Sequence, residues 1–124
     1  MEKHSAYSIN LNTQFAPLER IDIQALADAC QVAWYNQTLC RVNECVVRLG
    51  VMQGEFHWHK HDVEDEFFYV IEGRFIIDLA DRSVELSPRQ GFTVPKGVIH
   101  RTRAPERTVI LMMEGAGVRP TGDA

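Results

Sequence analysis

From Gln31 to Glu114 the chain alternates short apolar-rich runs with turn residues, at intervals too short for long helices. Val32–Tyr35 reads as a strand and Asn36-Gln37 as the turn after it. Leu39–Met52 is a long β-rich segment in which Gly50 predicts a bulge or bend. Gln53-Gly54 turns the chain into a histidine-rich stretch that is expected to be a strand. Glu66–Ile71 and Arg74–Leu79 flank Glu72-Gly73, whose composition predicts a two-residue hairpin. Ala80-Asp81-Arg82 leads to Ser83–Leu86, and the loop Ser87–Gly91 leads to Phe92–Val94, stopped at Pro95-Lys96-Gly97. Val98–Thr102, a turn at Ala104-Pro105-Glu106 and the run Arg107–Glu114 complete the set. Many short strands punctuated in this way predict an all-β sandwich or barrel. The strand–helix alternation of a parallel α/β sheet is missing.

Before this region the pattern is weaker. Met1–Ser8 is polar and expected to fray. Ile9, Leu11 and Phe15 could pin an arm to the body, and Asp22–Cys30 carries Ile23, Leu26 and Ala27 at helical spacing. The expected organisation is an N-terminal arm over 1–30, a barrel over 31–114 and a tail over 115–124. At 124 residues the chain has the size of one domain, and 45% hydrophobic residues suffice for a single core. A net charge of −4 argues against a nucleic-acid partner. No apolar run is long enough to span a membrane, and the start lacks the apolar centre of a signal peptide, so a soluble, cytoplasmic protein is expected. Cys30, Cys40 and Cys45 are odd in number and fit no disulfide framework. Reduced thiols are the simpler expectation, with Cys45 a small buried hydrophobe.

The chemistry concentrates in Gly54–Gly73, GEFHWHKHDVEDEFFYVIEG. His57, His59 and His61 alternate, and on a strand such residues share a face, with neighbours roughly 6.6 Å apart at Cα. Adjacent imidazoles on one face can share an ion, and a carboxylate from the next strand would add a third ligand. Two histidines and a carboxylate with positions left open suit a divalent transition metal. Taken singly, each histidine reads better as a solvated polar position, and Glu64-Asp65-Glu66 as an acidic loop. It is the cluster, followed at once by acid and then strand, that points to metal. Downstream, His100 follows the reversal Pro95-Lys96-Gly97, and a closed barrel could bring it to the same lumen.

These residues resemble the two motifs of the cupin superfamily. His59, His61, Glu66 and Gly73 fit H-x-H-x4-E-x6-G, and Pro95, Gly97 and His100 fit P-x-G-x2-H. The resemblance covers about residues 42–114. It implies an all-β cupin jelly-roll β-barrel, or double-stranded β-helix, packed as a homodimer. It also resolves a register: His57 and His59 with Glu64 fit H-x-H-x4-E equally, but only Glu66 stands at the right spacing from Gly73. The implied metal ligands are His59, His61, Glu66 and His100. Gly54 and Gly91 stand closer to their motifs than usual, and Ala104 replaces a common asparagine. With Thr121-Gly122-Asp123 near the end, the pattern looks like small single-domain cupins loosely described as similar to mannose-6-phosphate isomerase.

Four protein ligands leave room for water or substrate on a five- or six-coordinate ion. Iron, manganese or nickel are therefore preferred, with zinc, which favours four ligands in total, also accommodated. His57, expected to face inward, is the candidate catalytic residue, a general base near neutral pH; the alternative is a hydrogen-bonded polar residue of the core. Phe68, Val70 and Thr102 are expected to line the cavity, while Phe67, Tyr69, Ile71, Trp58, Arg101 and Arg103 face away. A lumen of this kind suits a small organic molecule. The expected function is that of a metal-dependent enzyme of dioxygenase, isomerase or lyase type; the alternative is a non-catalytic metal- or ligand-binding module.

Overall fold

The computed structural model describes residues 7–122. Eight strands and one short helix follow in the order β1 (Tyr7–Asn10), α1 (Ile23–Ala29), β2 (Trp34–Val42), β3 (Cys45–Glu55), β4 (Glu66–Glu72), β5 (Phe75–Asp78), β6 (Ser83–Leu86), β7 (Gly91–Val94) and β8 (Arg101–Gly115). The expected frayed end Met1–Ser8 lies mostly outside the described residues, as does Asp123.

The sheet is all-β and jelly-roll in kind, and β8 is its spine. One edge of β8 pairs antiparallel with β3 along nearly its whole length. The other edge pairs first with β5, through Arg101–Arg103, and then with β4, through Val109–Glu114. The chain therefore runs on from β4 to β5 in one direction, and Glu72-Gly73 is a kink rather than the predicted hairpin. Gly73 takes a positive φ of 91° there, and a Cβ would strike the Thr108 hydroxyl, so glycine is required. The expected turn at Ala104-Pro105-Glu106 is also absent. β8 passes through it, and the proline is tolerated because Pro105, Glu106 and Arg107 fall in a gap of the β3 register between Gly54 and Met52.

Asn36-Gln37 likewise lies inside β2, and the reversal comes later, at Asn43-Glu44, where Asn43 adopts φ 54°. Asparagine tolerates that conformation better than most residues. Gly50 is in register with both Asn36 and Ile110, so it makes no bulge. Its role is steric: a Cβ would sit 2.8 Å from Met52 Cε and 3.0 Å from Ile110 Cγ1.

Alternation along β3, β4 and β8 sorts the side chains onto two faces, and apolar residues are buried on both. Met52, Phe68, Val70, Ile110 and Met112 point into the lumen with Phe75, Ile77 and Val94. Leu49, Val51 and Val109 point outward, where Ala27 of α1 and the half-buried Phe15, Ile23 and Leu26 cover them. The chain thus builds two apolar clusters where composition suggested one. The helix forms as expected, with Asp22 as N-cap accepting from the Ala25 N–H at 3.0 Å. β1 adds in parallel to the β2 edge. Cys45 begins β3 exposed, not buried, and all three cysteines are free thiols.

Candidate metal centre

The histidine stretch 56–61 lies beyond the end of β3 and is not a continuous strand. It is extended chain tied down at single points. His59 and His100 exchange both backbone hydrogen bonds at 2.9 Å, and the Phe56 N–H donates to the Thr102 carbonyl at 2.9 Å. The loop after His61 is fastened to the Pro95–Val98 reversal: the Gly97 N–H donates to the His61 carbonyl at 2.7 Å and the Lys96 N–H to Asp65 Oδ1 at 2.9 Å. Gly97 has φ 81°, which is why the second motif needs glycine there. These ties bring two segments some forty residues apart in sequence onto one point, with Glu66 entering from the first residue of β4.

One donor atom from each of His59, His61, Glu66 and His100 lies within 4.8 Å of the others. Donors on opposite sides of one ion, at bonds of about 2.0–2.2 Å, would be separated by about 4.0–4.4 Å, so small adjustments suffice. Glu66 Oε1 stands 3.3 Å from His61 Nε2 and 3.5 Å from His100 Nε2. The tautomers fit as well. His59 Nδ1 donates to the His57 carbonyl at 2.9 Å and His100 Nδ1 to the Val98 carbonyl at 3.0 Å. Each Nε2 is then left with its lone pair, as ligating histidines usually are. His100 Nε2 and Glu66 Oε1 are fully buried without a hydrogen-bond partner among the described residues. Such atoms are costly unless something answers them, and a cation would.

The electrostatics agree. Burial holds His59 down at about 4, outweighing the His57 carbonyl that favours its charged form, so the imidazole is neutral and its lone pair available. Burial would raise the pKa of Glu66, but in metal-free protein the facing His100 and His61 rings, when they carry a proton on Nε2, and the Glu114 carboxyl hold it below the usual carboxylate range. Glu114 goes the other way, pushed up to about 10 by burial and by Glu66. Behind it, Arg48, 1% exposed, pairs with Glu114 and donates to Thr38 Oγ1 at 3.0 Å and to the Val118 carbonyl at 2.9 Å. Neither Glu114 nor Arg48 was expected here. The signal was available for both: Glu114 shares the parity of the inward Ile110 and Met112, and Arg48 that of Gly50 and Met52.

A cavity of about 40 Å³ opens beside His59 and Glu66, walled by Trp34, Phe56, Phe68, Thr102, Met112 and Pro120. Phe68 and Thr102 line it as expected, while Val70 packs deeper in the lumen core. His57 is not an inward core residue. It is exposed, stacked on Phe56 with ring centroids 4.2 Å apart, and its Nε2 donates to the Thr121 carbonyl at 2.7 Å. It is not among the four converging donors. Glu64, the rival carboxylate, lies against Gly115 instead. Arg101 and Arg103 face away from the lumen, as expected, and are tied to one carboxylate. Both grip buried Asp78, at 2.8–3.1 Å, and Arg101 also stands over the exposed Trp58 ring.

Comparison with known proteins agrees with this geometry. Residues 45–114, more than half of the chain, match the family model of the cupin domain. An uncharacterized protein of Bacillus subtilis, YdbB, is 38% identical over 94 residues, covering 75% of this chain and 83% of YdbB. Protein SchB of Streptomyces halstedii is 43% identical over 58 residues, covering 47% of this chain and 40% of SchB. Among solved structures, a cupin-2 domain containing protein from Shewanella frigidimarina superposes with a TM-score of 0.74 at 29% identity, covering 77% of this chain and 93% of its own. With the family model, the relatives and the fold in agreement, the chain belongs to the cupin domain family.

Proposed function

We propose that this protein is a metal-dependent enzyme acting on a small organic molecule, with His59, His61, Glu66 and His100 as the metal ligands. One observation carries the reading: four neutral or anionic donors converge, two of them with buried and otherwise unanswered atoms, and two of them, His59 and Glu66, line an apolar cavity. A divalent transition metal held there would supply Lewis acidity or, if redox-active, a route to dioxygen. Iron, manganese or nickel suit a site with open positions, and zinc would fit at lower coordination.

The chain's own part is positioning and exclusion of water. Trp34, Phe56, Phe68 and Met112 give the substrate an apolar surround, in which the polar groups acting on it are few. The cavity holds only a few waters, since one needs about 10–15 Å³, so a bound molecule must be small or present only a small reacting part. A general-base role for His57 would use Nδ1, because Nε2 carries its proton to Thr121 while that bond stands. The reaction class, whether dioxygenase, isomerase or lyase, follows from the metal and the substrate.

The protein is also proposed to work as a cytoplasmic homodimer. Phe67 and Met113 are opposite neighbours on the outer face and both exposed, giving that face apolar area to bury. No described helix is long and apolar enough to cross a membrane. The test is turnover of a panel of small carbonyl, hydroxy-acid and catechol-type compounds by protein loaded separately with iron, manganese, nickel and zinc. Turnover with one metal, lost in His100→Ala, supports the enzyme. Tight metal and ligand binding with no turnover favours the non-catalytic module instead.

A further inference from the structure

The C-terminal segment is not a loose tail. After β8 the chain turns back, with the Val118 N–H donating to the Gly115 carbonyl at 3.0 Å, and buries the Val118 side chain to 3% exposure. Arg48 grips the Val118 carbonyl from inside the sheet at 2.9 Å. Pro120 then forms part of the cavity wall. The Thr121 carbonyl accepts from His57 Nε2 at 2.7 Å. Gly122, at φ 93°, lies so close over His59 that a Cβ would come within 2.5 Å of the His59 Cβ and 3.0 Å of its ring. Three successive residues thus wall the cavity, meet His57 and cover a proposed ligand. The Arg119–Gly122 turn holds them together, the Gly122 N–H donating to the Arg119 carbonyl at 2.9 Å.

We infer that residues 118–122 form a strap over the metal centre, that His57 is the latch fastening it, and that the strap governs what reaches His59 and the cavity. His57 is then a positioning residue. Its exposed ring sits beside the site, and its proton is spent on a backbone carbonyl. The roof is permanent at the Val118 end, which Arg48 anchors in the core. It is releasable at the Thr121 end, where the side-chain hydrogen bond from His57 is exposed. A glycine at 122 keeps the roof flush with the imidazole. Any side chain there would lift it. The metal-facing half of this inference rests on the proposed function; the strap itself does not.

The experiment measures the rate at which diethyl pyrocarbonate modifies His59 in metal-free full-length protein, followed by peptide mass spectrometry. His57→Phe keeps the stacking on Phe56 and removes the donor; Gly122→Ala pushes the strap from its other side. Both are expected to raise the His59 rate at least threefold, with little change in thermal midpoint. His57→Gln, which keeps an N–H near the same place, is expected to restore the wild-type rate. An unchanged His59 rate in both variants overturns the strap. In cobalt-loaded protein, removal of the ion by EDTA should quicken by the same order in both variants at unchanged stoichiometry, and equal removal rates in all forms would overturn the gating of the centre. Failure of wild-type protein to take up cobalt would end the metal reading alone, since the His59 rate is read without metal.

Discussion

Glu66 and Glu114 sit directly opposite each other across the β4–β8 pairing, 4% and 3% exposed. Two carboxylates so placed, with Arg48 as the buried countercharge beside Glu114, cannot both ionise cheaply, and the environment separates them. Glu66 faces imidazoles and is held low; Glu114 is pushed up to about 10 and stays protonated at neutral pH. Glu114 therefore has a folded-state pKa above its unfolded value. The stability it contributes is present in acid and lost as pH rises from about 4.5 toward 10. Glu114→Gln cannot ionise and removes that loss. Thermal melts of metal-free protein between pH 6 and 9.5 should show the wild type losing midpoint relative to the glutamine variant as pH rises. Parallel profiles would contradict the assignment.

Arg48 is a fully buried cation that joins β2, β8 and the strap through Thr38, Glu114 and Val118. Removing it strips Glu114 of its partner and leaves a carbonyl unanswered. Arg48→Met should cost about 1–3 kcal/mol, the usual range for leaving buried hydrogen-bond partners unsatisfied, since Glu114 is neutral at pH 7. Urea unfolding at pH 7 measures it. A cost under about 1 kcal/mol would mean that the side chain is only filler.

Asp78 collects two guanidinium groups and the Ser83 hydroxyl at the far end of β5. Arg103 most of all, with Ser83 and Arg101, holds its carboxyl below the usual range against the opposing effect of burial. Asp78→Asn should destabilise by about 1–3 kcal/mol, less at high salt because the arginines are partly exposed. With the folded pKa depressed, the stability from Asp78 is present above about pH 4 and lost as pH falls below it. Acid-unfolding curves of the wild type and the asparagine variant should converge at low pH.

His59 predicts a second acid effect at higher pH. Its folded pKa of about 4 lies below the ordinary 6.5, so its neutral burial is harmless above pH 6.5 and increasingly costly as pH falls toward 4. Metal-free wild-type protein should lose stability through that window, and His59→Gln should lose less. Denaturant midpoints at pH 7, 6, 5 and 4.5 decide it.

The four converging donors were legible from the chain because their spacing is a property of the motif: H-x-H, a carboxylate after four residues, and a histidine after P-x-G. The strand architecture was legible in kind, since apolar runs and turn residues mark strands locally. What escaped was decided by partners far away in sequence. Glu72-Gly73 has hairpin composition, yet β8 holds β4 and β5 along one edge and the chain cannot reverse. Pro105 looks like a stop, but the bulge in the β3–β8 register accommodates it. His57 shares the alternation of His59 and His61, but the chain leaves β3 before reaching it, so strand parity no longer dictates its side, and Thr121 claims it. Arg101 and Arg103 face away from the lumen as their parity predicts, but nothing local reveals that Asp78 of the neighbouring strand collects both.

The most direct test of the central claim is elemental analysis of tag-free protein after reconstitution with each of iron, manganese, nickel and zinc and removal of loose ions. The account predicts about one divalent ion per chain for at least one metal, falling below about a tenth of that in His100→Ala and Glu66→Gln with the fold intact by circular dichroism. Wild-type protein that retains none of the four metals, or a His100→Ala variant that retains as much as the wild type, would contradict it.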